Sequence, residues 1–276
     1  IMKGILLRVT QPVVLSAVML ILIAGASVTL AAPVQQAGEE VTGIVFADGN
    51  ENGLYDEGEP GIEGVSVSNG LDVVQTDGDG RYALPVVEDT VYFVTKPAGY
   101  MVPVDEDLVP QFYYIHYPNG SPDYIQEFRG IEPTGELPES VDFPLYALSE
   151  EIADDEFTHL TIGDTQVRDY QELAYLRDDI IADIVGDDAF GADFAIALGD
   201  LLSDQLTMYP RYKQIMSLQG IPTFYVPGNH DMDVDAIEDK YHWDTYISHF
   251  GPPHYSFEYG NVHFLVLDNL RCLGAT

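Results

Sequence analysis

Three short motifs in the second half of the chain combine residue types that could form a metal centre. They run Gly163–Gln166, Gly199–Asp204 and Gly228–Asp231, and each begins with a glycine, which permits a tight turn and a close backbone approach. Together they supply carboxylate and amide oxygens and one histidine. Two divalent cations held by such groups can clamp a phosphoryl group and generate a hydroxide between them. Three such motifs in this order argue against ordinary turns and favour a site for phosphoryl chemistry.

Each motif follows a segment that is typical of a strand. We predict strands at 157–162, 194–198 and 222–226, separated by a helix at 169–185 and a helical stretch near 209–218. This alternation indicates an α/β region with a parallel sheet and crossover helices, in which the strand ends share one edge. The first helix should bury its apolar residues at helical spacing, which are Leu173, Leu176, Ile180 and Ile184. After the third motif, the segments 255–259 and 262–267 should form a hairpin.

The residues before the α/β region predict a small β-sandwich and a connector. Short runs at 41–46, 64–68, 81–84 and 91–95 alternate or are β-rich, with Gly and Asp turns between them. Residues 101–154 are rich in Pro and Tyr and lack clear periodicity, so we expect an ordered connector that packs against both neighbours. Its tyrosines either line a substrate groove or pack between domains, and packing is favoured; they are Tyr113, Tyr114 and Tyr117.

An acidic loop after the first strand has the ligand spacing of a calcium-binding loop. Oxygen donors stand at positions 1, 3, 5, 9 and 12 of a twelve-residue segment, with Gly53 at position 6 for the sharp turn. We expect a structural Ca²⁺ there, although a polar hairpin that binds nothing is the alternative. The donor residues are Asp48, Asn50, Asn52, Asp56 and Glu59.

The composition excludes some partners. The 276 residues include 46 Asp and Glu against 11 Lys and Arg, a net charge of −35 at pH 7. Such a surface repels polyanions, so a nucleic-acid groove built from basic side chains is not expected. The single cysteine, Cys272, allows no intrachain disulfide, and its surroundings favour a core position over a metal site.

The N-terminus has the pattern of an export signal. Lys3 and Arg8 precede an apolar stretch at 13–32 that ends in small residues. The stretch is about 20 residues long, enough to span a bilayer if it is retained. We therefore expect residues 1–38 to be a signal peptide or a signal anchor, and the protein to be extracellular or periplasmic, with an optional membrane tether.

The three motifs resemble the signature of calcineurin-like metallophosphoesterases, which runs D-x-H, then G-D, then G-N-H-[DE]. Residues 41–97 are similar to the β-domain that precedes the catalytic domain in some secreted bacterial and archaeal members, as are Lys96–Tyr100 and Val141–Leu145. The resemblance implies a partial metallophosphoesterase fold, a β-α-β-α-β core plus a hairpin, after a small all-β sandwich domain. The expected division is 1–38 signal, 39–100 β-sandwich, 101–154 connector and 155–276 the N-terminal part of the phosphoesterase domain.

The resemblance also implies a role for each motif residue. Asp164 would bind the first metal, Asp200 would bridge both metals, and Asn229 would bind the second through its amide oxygen. His230 would contact the phosphate and protonate the leaving oxygen, with Asp231 orienting its ring. A metal-bridged hydroxide would attack phosphorus in a small phosphate-ester substrate, whether a monoester, a diester or a pyrophosphate.

One position departs from the family pattern. Gln166 stands where the family usually has histidine, and its neutral, hard oxygen favours Mn²⁺ or Mg²⁺, with iron or zinc as alternatives. Asp204 could hold the metal loop or cap a helix. The remaining histidines lack partners at ligand spacing and are expected to be ordinary core or surface residues: His116, His159, His242, His249, His254 and His263.

The family completes its site with a further histidine and a Gly-His-x-His motif beyond the position of Asp268. This chain stops at Thr276 without them, so we expect a C-terminally truncated fragment with weak or no activity. The leading hypothesis is a secreted metal-dependent phosphoesterase. The alternative is a calcium-stabilised cell-surface binding module whose phosphoesterase domain has decayed.

Overall fold

The computed structural model describes residues 39–123, 127–148 and 156–271. The described residues all belong to one compact unit. The expected signal segment at 1–38 and Cys272 lie outside the described residues. Among the described residues, no helix is long and apolar enough to cross a bilayer.

Eight strands make up the first part of the described chain: β1 Glu40–Ala47, β2 Ser66–Ser68, β3 Val73–Gln75, β4 Arg81–Pro85, β5 Thr90–Val94, β6 Tyr100–Met101, β7 Tyr113–His116 and β8 Phe143–Ala147. They form two four-stranded sheets, in the orders β4-β1-β8-β6 and β3-β2-β5-β7. All neighbours are antiparallel except β1 and β8, which run parallel. The four strands that alternation predicted are all present.

The apolar face of each sheet lies in one shared core. In β4, Tyr82 and Leu84 are buried while their neighbours are exposed, as the period of two in a strand requires. One core cluster contains buried residues from both sheets, namely Val45, Leu84 and Leu145 from the first and Val67, Tyr92 and Val94 from the second. Burial of these side chains holds the sheets together at roughly 1.5–3 kcal/mol for each large apolar side chain.

The connector contributes strands to both sheets. Strand β7 pairs with β5, and β8 pairs with β1 in the register Val45↔Phe143. Neither strand was predicted. All but the last residue of β7 are half-buried, so the segment lacks alternation, and β8 contains a proline, which the pattern of a strand disfavours.

The second part of the chain has the predicted strand–helix alternation. Its elements are β9 His159–Ile162, α1 Tyr170–Tyr175, a π-helical turn Leu176–Ile181, α2 Ala182–Gly186, β10 Phe194–Leu198, α3 Tyr209–Met216, β11 Thr223–Val226, α4 Asp244–Phe250, β12 Tyr255–Tyr259 and β13 Val262–Val266. Strands β9, β10 and β11 form a parallel sheet in the order β11-β10-β9. The last two strands form the expected antiparallel hairpin.

The π-helical turn corrects one detail of the predicted helix. Helical spacing predicted that Ile180 would be buried, but it is 47% exposed, and Ile181 is buried instead. A π-turn adds one residue to the helix, so the inward face moves on by one position. Leu173, Leu176 and Ile184 are buried as predicted.

Aromatic stacking joins the hairpin to the parallel sheet. Phe257 of β12 stacks on Phe224 of β11 with ring centroids 4.0 Å apart and an interplanar angle of 4°. Phe257 also stacks on Phe264 of β13, with ring centroids 4.7 Å apart and an interplanar angle of 5°. Buried Phe194 of β10 contacts the same rings edge-on. This packing fixes β10 and β11, from whose ends two of the three motifs emerge.

Candidate active site

The three motifs emerge at one edge of the parallel sheet. Because β9, β10 and β11 are parallel neighbours, their carboxyl ends meet at that edge. The backbone there is unusual, since Asp164, Gln166, Asp200 and Asp204 all have positive φ values, of 54°, 41°, 44° and 61°. Such conformations cost of order 1–3 kcal/mol for residues with side chains and cluster at functional sites.

Two glycines allow the motifs to approach one another. A Cβ on Gly228 would lie 2.1 Å from the backbone nitrogen of Asp200, so no larger residue fits without moving that loop. Gly199 has a φ of +71°, and its added Cβ would lie 2.9 Å from the nitrogen of Gly228. The two turns therefore pack backbone against backbone, which brings the β10 and β11 motifs together.

Asp200 links all three motifs. Its Oδ1 accepts a hydrogen bond from the backbone N–H of His230 at 3.1 Å, and its Oδ2 accepts one from Nε2 of Gln166 at 2.9 Å. The backbone N–H of Gln166 also donates to the carbonyl of Asp200 at 2.7 Å. The carboxylate predicted to bridge two metals therefore lies at the centre of the site.

His230 is held by Asp204. Its Nδ1 lies 2.8 Å from Oδ1 of Asp204, and since an ionised carboxylate only accepts, Nδ1 carries a proton and donates it. The hydrogen bond from His230 to Asp204 raises the pKa of the imidazole. The sequence-based expectation gave the orienting role to Asp231, and the structure differs here. Asp204 contacts the ring instead. The sequence alone leaves two roles for Asp204, which are to hold the metal loop or to cap a helix.

Asp231 has a different set of partners. It is buried, and its carboxylate accepts hydrogen bonds from the backbone N–H groups of Leu201 at 3.2 Å and Gly228 at 2.9 Å. It also accepts one from the hydroxyl of Tyr209 at 2.9 Å. Burial, followed by the charge of Asp231, raises the pKa of Tyr209 well above its ordinary value, so the hydroxyl remains a donor. Asp231 therefore fixes the two loops that carry Asp200 and His230.

The other two predicted ligands are at the same edge and exposed to solvent. Asp164 follows β9, and the next residue, Thr165, anchors its turn by donating to the carbonyl of Leu201 at 2.8 Å. Asn229 begins the short turn after β11. Within the described ranges, no three His, Cys, Asp or Glu side chains are grouped as they would be around a metal ion. The individual ligand roles stay predictions.

The predicted calcium loop is closed by its own hydrogen bonds. Buried Asp48 accepts from the backbone N–H groups of Asn50 at 3.2 Å and Gly53 at 2.7 Å. Gly53 has a φ of +76°, which makes the sharp turn possible. At the far end, Glu59 accepts from the backbone N–H of Gly49 at 3.0 Å. These contacts bring the first and last residues of the loop together.

Asp56 joins the remaining donors of that loop. Its Oδ2 accepts from the side-chain amides of Asn50 at 2.8 Å and Asn52 at 2.9 Å. These hydrogen bonds, that from Asn50 first, lower the pKa of Asp56. All five predicted donor residues thus belong to one hydrogen-bonded loop, and calcium binding there stays a prediction.

Sequence reasoning missed a pair of buried carboxylates behind the site. Asp233 accepts from the backbone N–H and the hydroxyl of Thr245, at 2.8 and 2.6 Å. Asp244 accepts from the hydroxyls of Tyr117 at 3.1 Å and Ser121 at 2.6 Å. Burial raises the pKa of Asp233 to about 6 and that of Asp244 to about 7. In a chain with so many acidic residues, no sequence signal separates these two carboxylates from exposed ones.

Tyr117 is buried, in line with the expectation that the connector tyrosines pack instead of lining a groove. Its hydroxyl also donates to Asp244.

Comparisons with known proteins concern the first part of the chain most directly. The family described as the N terminal of Calcineurin-like phosphoesterase matches residues 49–130. No curated protein matches the chain significantly. A solved structure, the purple acid phosphatase isolated from yellow lupin (Lupinus luteus) seeds, aligns with a TM-score of 0.32 and 11% sequence identity, over 73% of this chain. The chain spans 38% of the length of that phosphatase.

Proposed function

We propose that this chain, which carries the N-terminal region of a calcineurin-like phosphoesterase at residues 49–130, belongs to a metal-dependent enzyme that hydrolyses a small phosphate ester. The observation that carries the proposal is the position of Asp200. Its two carboxylate oxygens contact Gln166 and His230, so one acidic side chain connects the ends of three adjacent parallel strands. Parallel sheets place their functional groups at this edge.

The donor set fits hard divalent cations. Asp164, Asp200 and Asn229 offer carboxylate and amide oxygens at one sheet edge, and such ligands suit Mn²⁺ and Mg²⁺. Gln166 now presents its amide nitrogen to Asp200. Rotation of that amide would place two oxygens together, an arrangement that is favourable only with a cation between them. Asp164, Asp200, Asn229 and Gln166 would therefore hold the cations, which supply Lewis acidity at phosphorus and a nucleophile at neutral pH.

The residues of the chain have separate tasks in this proposal. Asp204 orients the imidazole of His230 through Nδ1, which leaves Nε2 free to donate a proton to the leaving oxygen. Asp231 and Tyr209 keep the His230 loop against the Asp200 loop.

Hydrolysis of bis(4-nitrophenyl) phosphate by the full-length protein tests the proposal. We expect activity that needs Mn²⁺ or Mg²⁺ and falls by about 10²–10⁴-fold in His230→Ala, because a positioned general acid contributes that much. His263→Ala is the matched control, since His263 is exposed on β13 and bonds Glu258, away from the three motifs. A protein that is inert with every divalent cation but is stabilised by Ca²⁺ would favour the decayed binding module.

Two further parts of the proposal concern the N-terminal half. The loop from Asp48 to Glu59 would bind Ca²⁺ as a structural ion, supported by its ligand spacing and by the hydrogen bonds that join its ends. Residues 1–38 would direct export and could tether the protein through 13–32, supported by the basic start and the apolar stretch. Detection of the mature N-terminus in secreted material would test the second part, and an uncleaved cytoplasmic protein would contradict it.

A further inference from the structure

A relay of hydrogen bonds connects the buried face of helix α3 to the turn that carries Asp164. The hydroxyl of Thr165 donates to the carbonyl of Leu201 at 2.8 Å, which ties the turn after β9 to the turn after β10. The same Thr165 oxygen lies 3.1 Å from the hydroxyl of Tyr212. Because a carbonyl only accepts and Thr165 has a single hydroxyl proton, Tyr212 donates its own proton to Thr165. The order of donation is therefore Tyr212 to Thr165 to Leu201.

Tyr212 presents a fixed donor to this turn. Its side chain is completely buried in the core, with its ring 6.4 Å from that of Tyr225. Burial raises the pKa of the Tyr212 hydroxyl, so the group keeps its proton and remains a donor. A buried hydroxyl that loses its partner costs free energy, so donor and acceptor hold each other in place.

The turn needs such an anchor because its backbone is strained. The residues on either side of Thr165, which are Asp164 and Gln166, have positive φ values of 54° and 41°. Conformations of this kind persist only where the surrounding structure holds them. The backbone N–H of Gln166 donates to the carbonyl of Asp200, and the side chain of Thr165 provides the contact with the core. The relay therefore holds the turn from which the Asp164 side chain projects.

Helix α3 carries a second buried tyrosine, which contacts a different motif. Tyr209 and Tyr212 are three residues apart, so they lie on the same face of the helix. Tyr209 donates to Asp231 in the motif after β11, whereas Tyr212 donates to Thr165 in the motif after β9. One helix thus holds the first and the third motif at a fixed separation.

From these contacts we infer that Tyr212 is a positioning residue of the candidate metal site, and that its hydroxyl holds the Asp164 turn in place through Thr165. The inference rests on the proposed function, because it concerns the carboxylate that Asp164 would offer to the cations. Tyr212 is fully buried, so it acts on the site through Thr165 and not by touching a cation or a substrate.

Hydrogen exchange of the full chain without metal tests the relay alone. We expect the protection factor of the Gln166 amide to fall about three- to tenfold in Tyr212→Phe, because one hydrogen bond is lost. The reference is the amide of Ala195 in β10, which donates to the carbonyl of Pro222 at 2.8 Å and should keep its protection. Tyr246→Phe is the matched control, since Tyr246 is equally buried and its hydroxyl has no hydrogen-bond partner among the described residues. An equal fall at both amides, or no fall at Gln166, would overturn the inference.

A double-mutant cycle separates the relay from a general loss of packing. Thr165→Val keeps the shape of the side chain but removes both hydrogen bonds of the relay. In that background Tyr212→Phe should lower the Gln166 protection factor no further, whereas independent effects would add. Thr165→Ser retains the hydroxyl and should keep the wild-type sensitivity to Tyr212→Phe. Additive effects of Thr165→Val and Tyr212→Phe would contradict the relay.

Calorimetric titration of the full-length protein with Mn²⁺ alone connects the relay to the metal site. We expect Tyr212→Phe to weaken Mn²⁺ binding about 10–100-fold, as loss of a group that orients a ligand does, and Tyr246→Phe to bind as the wild type does. Unchanged Mn²⁺ affinity in Tyr212→Phe would refute the positioning role. Absence of Mn²⁺ binding by the wild type would instead contradict the proposed function, while the exchange measurement would still decide whether Tyr212 holds the turn.

Discussion

The buried carboxyl of Asp244 should make the stability of the protein depend on pH. Its side chain is fully buried, and desolvation raises its pKa from 3.8 to about 7, despite hydrogen bonds from Ser121 and Tyr117. In the unfolded chain the carboxyl ionises near pH 4, whereas in the folded protein it keeps its proton to about pH 7. Between those values the folded state binds more protons, so the free energy of unfolding falls as the pH rises.

The size of this effect follows from the shift. A change of about three pKa units corresponds to about 4 kcal/mol, lost progressively between about pH 4 and pH 7 and constant above that range. Asp244→Asn removes the titrating group. The unfolding free energy of the variant will also differ from wild type by a constant amount, because an amide has one oxygen and cannot accept from Tyr117 and Ser121 through two oxygens. The offset is independent of pH, so the slope is the informative quantity.

Urea unfolding of the full chain at pH 4 to 8 measures that slope. We expect the difference in unfolding free energy, Asp244→Asn minus wild type, to increase by about 4 kcal/mol across this range. Glu136→Gln is the control and should follow the wild-type curve, since Glu136 is exposed. Parallel curves for wild type and Asp244→Asn would refute the reasoning that desolvation outweighs the two hydrogen bonds.

Three other predictions concern the site and the loop. Asp204→Asn should lower kcat by roughly 10–100-fold with little change in KM, measured by steady-state kinetics, because it loosens the orientation of His230; an unchanged kcat would contradict this. Gly228→Ala should destabilise the protein by about 1–3 kcal/mol in urea unfolding, since its Cβ would lie 2.1 Å from Asp200, while Gly186→Ala, with open space around it, should not. Ca²⁺ at a hundred times its Kd should stabilise the fold by about 2.7 kcal/mol in thermal unfolding, and Asp56→Ala should abolish this; equal stabilisation of the variant would contradict a loop site.

The parallel sheet and the positions of the motifs were predictable because their signals are local. Strands β9, β10 and β11 are short β-rich segments followed by Gly-Asp or Gly-Asn, and helical spacing marks the crossovers. The π-turn at Leu176–Ile181 was not predictable from spacing, because it changes the period that the spacing assumes. Strand β8 was not predictable from local sequence because it depends on pairing with the distant strand β1. Ile44 and Asp142, which are hydrogen-bonded beside this pair, are 98 residues apart in the sequence.

The contacts inside the site depended on three-dimensional geometry. Asp204 and Asp231 are both acids near His230 in the motifs, and only the turn after β10, with its positive φ at Asp204, decides which one contacts the ring. The same holds for Asp244, whose burial arises from the connector packing over α4. Residue type identified the groups that could do chemistry, but the partners of each group came from packing between distant segments.

The most direct test of the account is the rate of phosphate-ester hydrolysis by the full-length protein and by Asp200→Asn, compared at saturating Mn²⁺. Asp200 is the side chain that joins the three strand-end motifs. Asp200→Asn should therefore lower the hydrolysis rate by about a thousandfold or more, whereas His263→Ala should keep the wild-type rate. Equal rates in wild type and Asp200→Asn, or no hydrolysis by the wild type with any divalent cation, would contradict the proposed phosphoesterase site.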